Sequence, residues 1–318
     1  SNAPATFQRL MQRCLGDQSF DNVLIYLDDI IVYSPDFDSH IAHLNRVLSR
    51  LCQHGLKLKP EKCHLLQPEV QYLGHSVSSK GVAVDPAKVK VVQDWPEPAS
   101  IRDVRAFLGF TGFFRRFIQG YASIAGPLFQ YLRGEKKQKG KQGDKSITLN
   151  EAGRASFHRL KTCLTTAPVL AYADFTRPFR VETDASTKGL GALLLQHDDE
   201  GRPRVIAYAS RILRPAERSG RYSSFKLELL AVKWAVTEVF RDYLLGNRCV
   251  IVTDHHPLLF VNKANLGCTE MRWMQCLSAY DYEMVYRPGR DNQAPDALSR
   301  QVQDTGADTT CIQTPPVE

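Results

Sequence analysis

No stretch of this 318-residue chain approaches the roughly 18 consecutive apolar residues that would cross a bilayer, which excludes a membrane-spanning helix at the sequence level. No basic-then-apolar leader opens it, so an intracellular protein is expected. Its eight cysteines form no Cys-x-x-Cys pair. A zinc knuckle is therefore not expected, and Cys63-His64 lacks a matching second pair. Several cysteines sit in apolar segments, such as Cys249 ahead of Val250-Ile251-Val252, and read as small buried side chains in a reducing compartment. No internal repeat is visible.

What is present is ordinary in bulk and unusual in place. Hydrophobic content of 43% and charged content of 24% suit a globular protein long enough for two or more domains. The net charge is +7, and +4 of it lies in residues 133–145, with six cationic and two acidic side chains. Such a run is either a solvated linker or a loop suited to a polyanion, whose phosphates release counterions on contact.

Glycine is also missing where a tight turn would want it. Val23-Leu24-Ile25-Tyr26-Leu27-Asp28-Asp29-Ile30-Ile31-Val32-Tyr33 reads as two short strands around Asp28 and Asp29. A turn serving only to reverse the chain favours Asn-Gly or Asp-Gly, whereas both turn positions are expected to be acids here. Adjacent carboxylates beside an apolar sheet repel unless a hard cation such as Mg²⁺ is shared, although an exposed acidic tip has the same pattern.

Around this hairpin the periodicity predicts helices near 4–15 and 38–54 and strands near 56–58, 63–66 and 70–77. Helices follow over 86–94 and from a Ser100 cap to about 118. After the basic run come a helix near 150–164, strands near 179–184, 189–196 and 204–209, and a long helix over 223–241. A strand over 250–253, helices near 256–262 and 269–279, a strand over 282–286 and a helix over 292–300 complete the order. The whole is α/β, its last part a mixed sheet with helices. Residues 301–318 are polar and expected to be disordered.

Four acids fall at element ends in that last part. Asp184 and Asp254 close strands at their carboxyl ends, where open α/β sheets place their sites. Glu228 heads an apolar helical line through Val232, Ala235 and Val239, so it is expected to face the sheet, where a lone carboxylate needs a cation. Asp296 lies in the last helix. Asp254 as a helix cap and Asp296 as a solvated helix acid remain open alternatives.

These motifs resemble the Pol region of gypsy-type LTR retrotransposons, reverse transcriptase followed by RNase H, over roughly residues 2–300. Asn2-Ala3-Pro4-Ala5-Thr6-Phe7-Gln8-Arg9-Leu10-Met11, Tyr26-Leu27-Asp28-Asp29, Gly55-Leu56-Lys57-Leu58-Lys59-Pro60-Glu61-Lys62-Cys63 and Tyr72-Leu73-Gly74-His75 resemble polymerase palm motifs. Phe107-Leu108-Gly109-Phe110 and Phe113-Phe114-Arg115-Arg116-Phe117-Ile118 resemble the thumb, and are equally a plain helix core. Glu182-Thr183-Asp184-Ala185-Ser186, Lys226-Leu227-Glu228-Leu229-Leu230-Ala231, Thr253-Asp254-His255-His256 and Asp296-Ala297-Leu298-Ser299-Arg300 resemble the four acidic motifs of RNase H.

The resemblance implies a partial α+β palm over 1–84, a helical thumb over 85–132, a basic linker over 133–149, an RNase H-like mixed α/β domain over 150–300 and a tail over 301–318. It implies that Asp184, Glu228, Asp254 and Asp296 bind two Mg²⁺ ions, with Mn²⁺ an alternative, and cut RNA in an RNA–DNA hybrid. Asp28 and Asp29 would bind metal for polymerisation on a primer-template, in cytoplasmic particles or the nucleus. The family's third polymerase aspartate belongs to an earlier motif, so autonomous DNA synthesis by this chain is not expected. Two smaller departures are Pro295 directly before Asp296 and the lack of histidine in residues 286–292. A second reading is a non-catalytic nucleic-acid-binding remnant adopted by a host genome. A third is a polymerase that takes its missing aspartate from another chain.

Overall fold

The computed structural model describes residues 3–16, 22–132, 146–218, 222–263 and 266–288, in two compact units, Ser1–Leu73 and Gly74–Glu318. The basic run, Asp296 and the expected helix and tail after residue 288 lie outside the described residues.

In the first unit, α1 (Ala3–Leu15) precedes a hairpin of β1 (Val23–Tyr26) and β2 (Asp29–Val32). Then come α2 (Phe37–Gln53) and a strand, β3 (Glu69–Tyr72). Met11, Cys14 and Leu15 of α1 pack with Val23 of β1 and Val47 and Leu51 of α2. That apolar stripe explains why a short two-stranded hairpin, marginal alone, is ordered here. Asp36 starts α2 as its cap, accepting from the Ser39 amide at 2.9 Å.

Two strands expected in this unit, near 56–58 and 63–66, do not form. Pro60, which has no amide donor, opens a single 3-10 turn, and Leu66 adopts φ +54, outside the strand region. The strand expected over 70–77 is interrupted at Leu73 and Gly74, both at positive φ.

The second unit begins with the hairpin β4 (His75–Ser78) and β5 (Gly81–Val84), then α3 (Pro86–Gln93), α4 (Ile101–Phe113) and α5 (Tyr121–Tyr131). Ser100 does cap α4, in a reciprocal box with Asp103. The helix ends at Phe113 rather than near residue 118, and a 3-10 turn over Arg115–Phe117 sets Phe113, Phe114 and Phe117 around His75. After α6 (Glu151–Thr165) come β6 (Phe179–Ala185), β7 (Gly189–His197) and β8 (Pro203–Ile212). Then follow α7 (Pro215–Arg218), α8 (Ser224–Trp234), α9 (Arg241–Leu244), β9 (Cys249–Thr253), α10 (Cys268–Leu277) and β10 (Tyr282–Tyr286).

These strands form one five-stranded sheet in the order β10-β9-β6-β7-β8. β6, β7 and β8 are antiparallel, and β9 and β10 run parallel to β6. Strand alternation gives the sheet two apolar faces. Ala192 and Leu194 of β7 join Phe179, Val181 and Ile251 against α8. Leu193 and Leu195 turn the other way, toward Phe107 of α4, Leu128 of α5 and Phe157 of α6.

The helix expected over 223–241 is not continuous. A π turn over Ala235–Val239 adds a residue to the spiral, so the apolar line passes from buried Ala235 to buried Phe240 and leaves Val239 exposed. The 256–262 helix is a 3-10 segment with a kink at Phe260. Cysteine burial is also narrower than expected: Cys14 and Cys249 are buried, whereas Cys52, Cys268 and Cys276 are exposed. Burial pushes the Cys249 thiol up to about 12, which keeps it inert.

Candidate functional sites: an acidic hairpin and an acidic sheet end

The hairpin pairs Tyr26 with Asp29, so its two-residue turn is Leu27-Asp28. This corrects the expectation that both turn positions are acids, because Asp29 opens β2 instead. Both aspartates are exposed. Leu27 carries the positive φ, +53, that such a turn demands. A left-handed residue with a Cβ costs about 1–2 kcal/mol, so something must hold it there. The Leu27 amide donates to Gln8 Oε1 of α1 at 2.6 Å. One such bond contributes about 0.5–1.5 kcal/mol net, the same order as the strain. Tyr72 of β3 is near: burial raises its phenol, and the charge of Asp29 raises it further.

At the sheet end, Asp184 is the penultimate residue of β6, and Asp254 directly follows β9, the parallel neighbour of β6. Glu228 lies in the second turn of α8, only 6% exposed, because α8 lays its apolar face on the sheet. Glu228 and Asp184 both sense their acidic neighbours. Burial, then the charges of Asp254 and Asp184, push the Glu228 carboxyl up to about 8. Asp184 is also raised, by desolvation and then by Asp254, with the Ala185 amide pulling the other way for both groups. Asp184 nevertheless keeps an exposed surface, as does Asp254.

Glu228 Oε2 is buried without a hydrogen-bond partner. An unpartnered buried carboxylate oxygen beside two further carboxylates is the donor set a hard divalent cation prefers. The fit is one of chemistry rather than of a closed cage, since no group of three or more acids, histidines or cysteines among the described residues is drawn together around an ion position.

The structure thus brings Asp184, Glu228 and Asp254 to one sheet end and puts Asp28, in the turn, and Asp29, at the start of β2, side by side at one exposed hairpin tip. Three residues near these acids escaped the sequence reading. Helical spacing cannot show that Gln8 reaches a turn 19 residues away. Tyr72 comes within reach of the Asp29 charge only through folding. Glu182, 5% exposed, lies two residues before Asp184; it accepts from Arg180 Nε at 2.9 Å, and Arg287 Nη1 stands 4.0 Å away. The signal for it was the alternation Arg180, Glu182, Asp184 along one strand face.

The reverse transcriptase (RNA-dependent DNA polymerase) family model matches residues 1–77, and the RNase H-like domain found in reverse transcriptase matches residues 149–251, which includes Asp184 and Glu228. The chain is 40% identical over 303 residues to the retrovirus-related Pol polyprotein from transposon opus of Drosophila melanogaster, covering 94% of this chain and 30% of that protein. It is 38% identical over 305 residues to the gypsy Pol polyprotein of the same fly, covering 94% of this chain and 29% of that protein. The Tf2-3 transposon polyprotein of Schizosaccharomyces pombe is 31% identical over 310 residues, covering 96% of this chain and 22% of that protein. The chain therefore spans less than a third of these relatives.

In fold it is similar to a foamy viral protease-reverse transcriptase in complex with dsDNA, with TM-score 0.75 and 21% identity, over 91% of this chain and 59% of that one. The same viral enzyme solved with an RNA/DNA hybrid gives TM-score 0.73 and 20% identity, over 99% of this chain and 40% of that one. The chain is thus a homologue of the Pol polyproteins of gypsy-type transposons, carrying a reverse transcriptase domain followed by an RNase H-like domain.

Proposed function

We propose that the chain cleaves the RNA strand of RNA–DNA hybrids at the sheet end bearing Asp184, Glu228 and Asp254, with Asp296 as a fourth acid, and that cleavage requires Mg²⁺. The observation carrying this reading is the buried Glu228 carboxyl, unpartnered at Oε2 and raised by Asp184 and Asp254. Two Mg²⁺ ions, when bound, would activate a water and stabilise the leaving oxygen of a phosphodiester. The protein's own part is to present oxygen ligands at fixed places. β6 and β9 hold the backbone of Asp184 and Asp254, and α8 presses Glu228 against the sheet.

Asp28 and Asp29 are proposed as two carboxylates of a nucleotidyl-transfer site that meets a primer-template. Primer extension by these 318 residues alone is not proposed, because the resemblance assigns that chemistry a third aspartate from a motif not among them. An intracellular setting, in cytoplasmic particles or the nucleus, is the proposed place of action. The comparisons lend no support to a non-catalytic remnant.

A hybrid with labelled RNA, incubated with the purified chain, should be cut with Mg²⁺ and left whole in chelator. The same preparation is offered a primed template. A hybrid left intact by the parent chain, with Asp184→Asn behaving identically, would sink the proposal.

A further inference from the structure

We infer that Gln8 is a positioning residue for the acidic hairpin: its side-chain carbonyl clamps the strained Leu27 amide and so aims Asp28 and Asp29 at a shared divalent cation. The inference rests on the reading of that pair as a cation-binding site. Two independent observations meet at Leu27. Its φ of +53 is a backbone state that leucine avoids, and strain of this kind persists only where the surroundings hold it. The Gln8 Oε1 acceptor lies 2.6 Å from its amide, so the holding group is identified.

The geometry separates this contact from ordinary packing. Leu27 sits inside the turn, so its amide has no ladder partner, while Tyr26 and Asp29 on either side are paired with each other. The acceptor comes from α1, whose buried face of Met11, Cys14 and Leu15 anchors it to β1 and α2. Gln8 itself is half-buried, on the edge of that face. α1 thus reaches past its own core to grip the residue just before the acid pair. Losing the grip leaves the strain at Leu27 unopposed, so the turn backbone shifts and the next two Cα–Cβ directions swing with it. Two carboxylates that must share one ion tolerate little such swing.

The test uses the full chain with Asp184→Asn and Glu228→Gln, so that Mn²⁺ reports on the hairpin, and leucine labelled with ¹⁵N. Leu27→Ile identifies the Leu27 amide signal by its loss. In the parent this amide should exchange slowly and be broadened by Mn²⁺. Gln8→Leu should speed its exchange and weaken Mn²⁺ binding at the hairpin, each by about fivefold or more. Gln8→Asn, too short to reach, should behave as Gln8→Leu does. Gln8→Glu keeps reach and acceptor and should restore slow exchange; exchange is the readout there because the added charge itself attracts Mn²⁺.

Slow exchange retained in Gln8→Leu overturns the clamp. Fast exchange with unchanged Mn²⁺ affinity overturns the positioning role. Gln8→Glu failing to restore slow exchange does the same for the acceptor. A parent amide that Mn²⁺ leaves sharp overturns the reading of Asp28 and Asp29 as a cation seat, and the positioning role with it, a result seen before any Gln8 variant is made.

Discussion

The two acidic sites solve opposite problems. Asp28 and Asp29 sit exposed at the tip of a hairpin of two four-residue strands, so water stabilises their charge but little fixes their direction. Glu228 sits under a helix on a five-stranded sheet, so its direction is fixed but its charge is costly. The hairpin therefore depends on local restraint at Leu27, and the sheet end on charge compensation at Glu228. Preorganisation and charge compensation thus fall largely on separate residues.

The comparison breaks first if charge is not what the sheet end is for. Asp184→Asn should lower hybrid cleavage by about a thousandfold, some 4 kcal/mol of barrier, in a single-turnover assay. Asp28→Asn should leave that rate within about twofold. Equal losses would mean that the two acid groups do not act separately.

Next in size is pH. The folded-state pKa of Glu228, about 8, lies above the ordinary carboxylate value of 4.5. The folded chain therefore holds a proton that the unfolded chain gives up, and this contribution to stability is fully present below pH 4.5 and lost as pH rises through 8. In chelator, the unfolding midpoint should fall between those limits, and Glu228→Gln should flatten the profile. Added Mg²⁺ at pH 8 should raise the midpoint, since the ion favours the charged form. A metal-free profile with the opposite slope would refute the burial argument.

Glu182 sharpens the contrast on a smaller scale. Glu182→Leu strands the partly buried Arg180 guanidinium and should cost about 1–3 kcal/mol in denaturant unfolding. Glu182→Gln keeps an acceptor for Arg180 and should cost less. The smallest effect is expected at Leu27→Gly, which removes the Cβ from a positive-φ residue and should gain about 1 kcal/mol or less in local hairpin stability by amide exchange. A clear destabilisation there would mean that the leucine side chain, rather than the turn backbone, holds the hairpin.

Much of this was legible before folding, for identifiable reasons. Strand alternation and buried runs marked β6, β7 and β9, because period-two burial leaves a mark in any half-covered strand. Ser100 announced α4 because capping is local chemistry. The apolar line below Glu228 announced its burial. Elements failed where a residue had to satisfy a neighbour distant in sequence. Leu66 and Leu73 take positive φ, which no propensity assigns to leucine, and the π turn at Ala235–Val239 exists to deliver Phe240 to the core.

The sequence alone determined which residues carry charge, which faces are apolar and which acids end strands, since these follow from residue type and spacing. Only the tertiary structure decided that the hairpin turn is Leu27-Asp28 and that Gln8 holds it. The structure also decided that Glu228 meets two acids from other elements with one oxygen unpartnered. Dihedral strain, desolvation and charge coupling depend on distances between residues far apart in the chain, and only packing sets those distances.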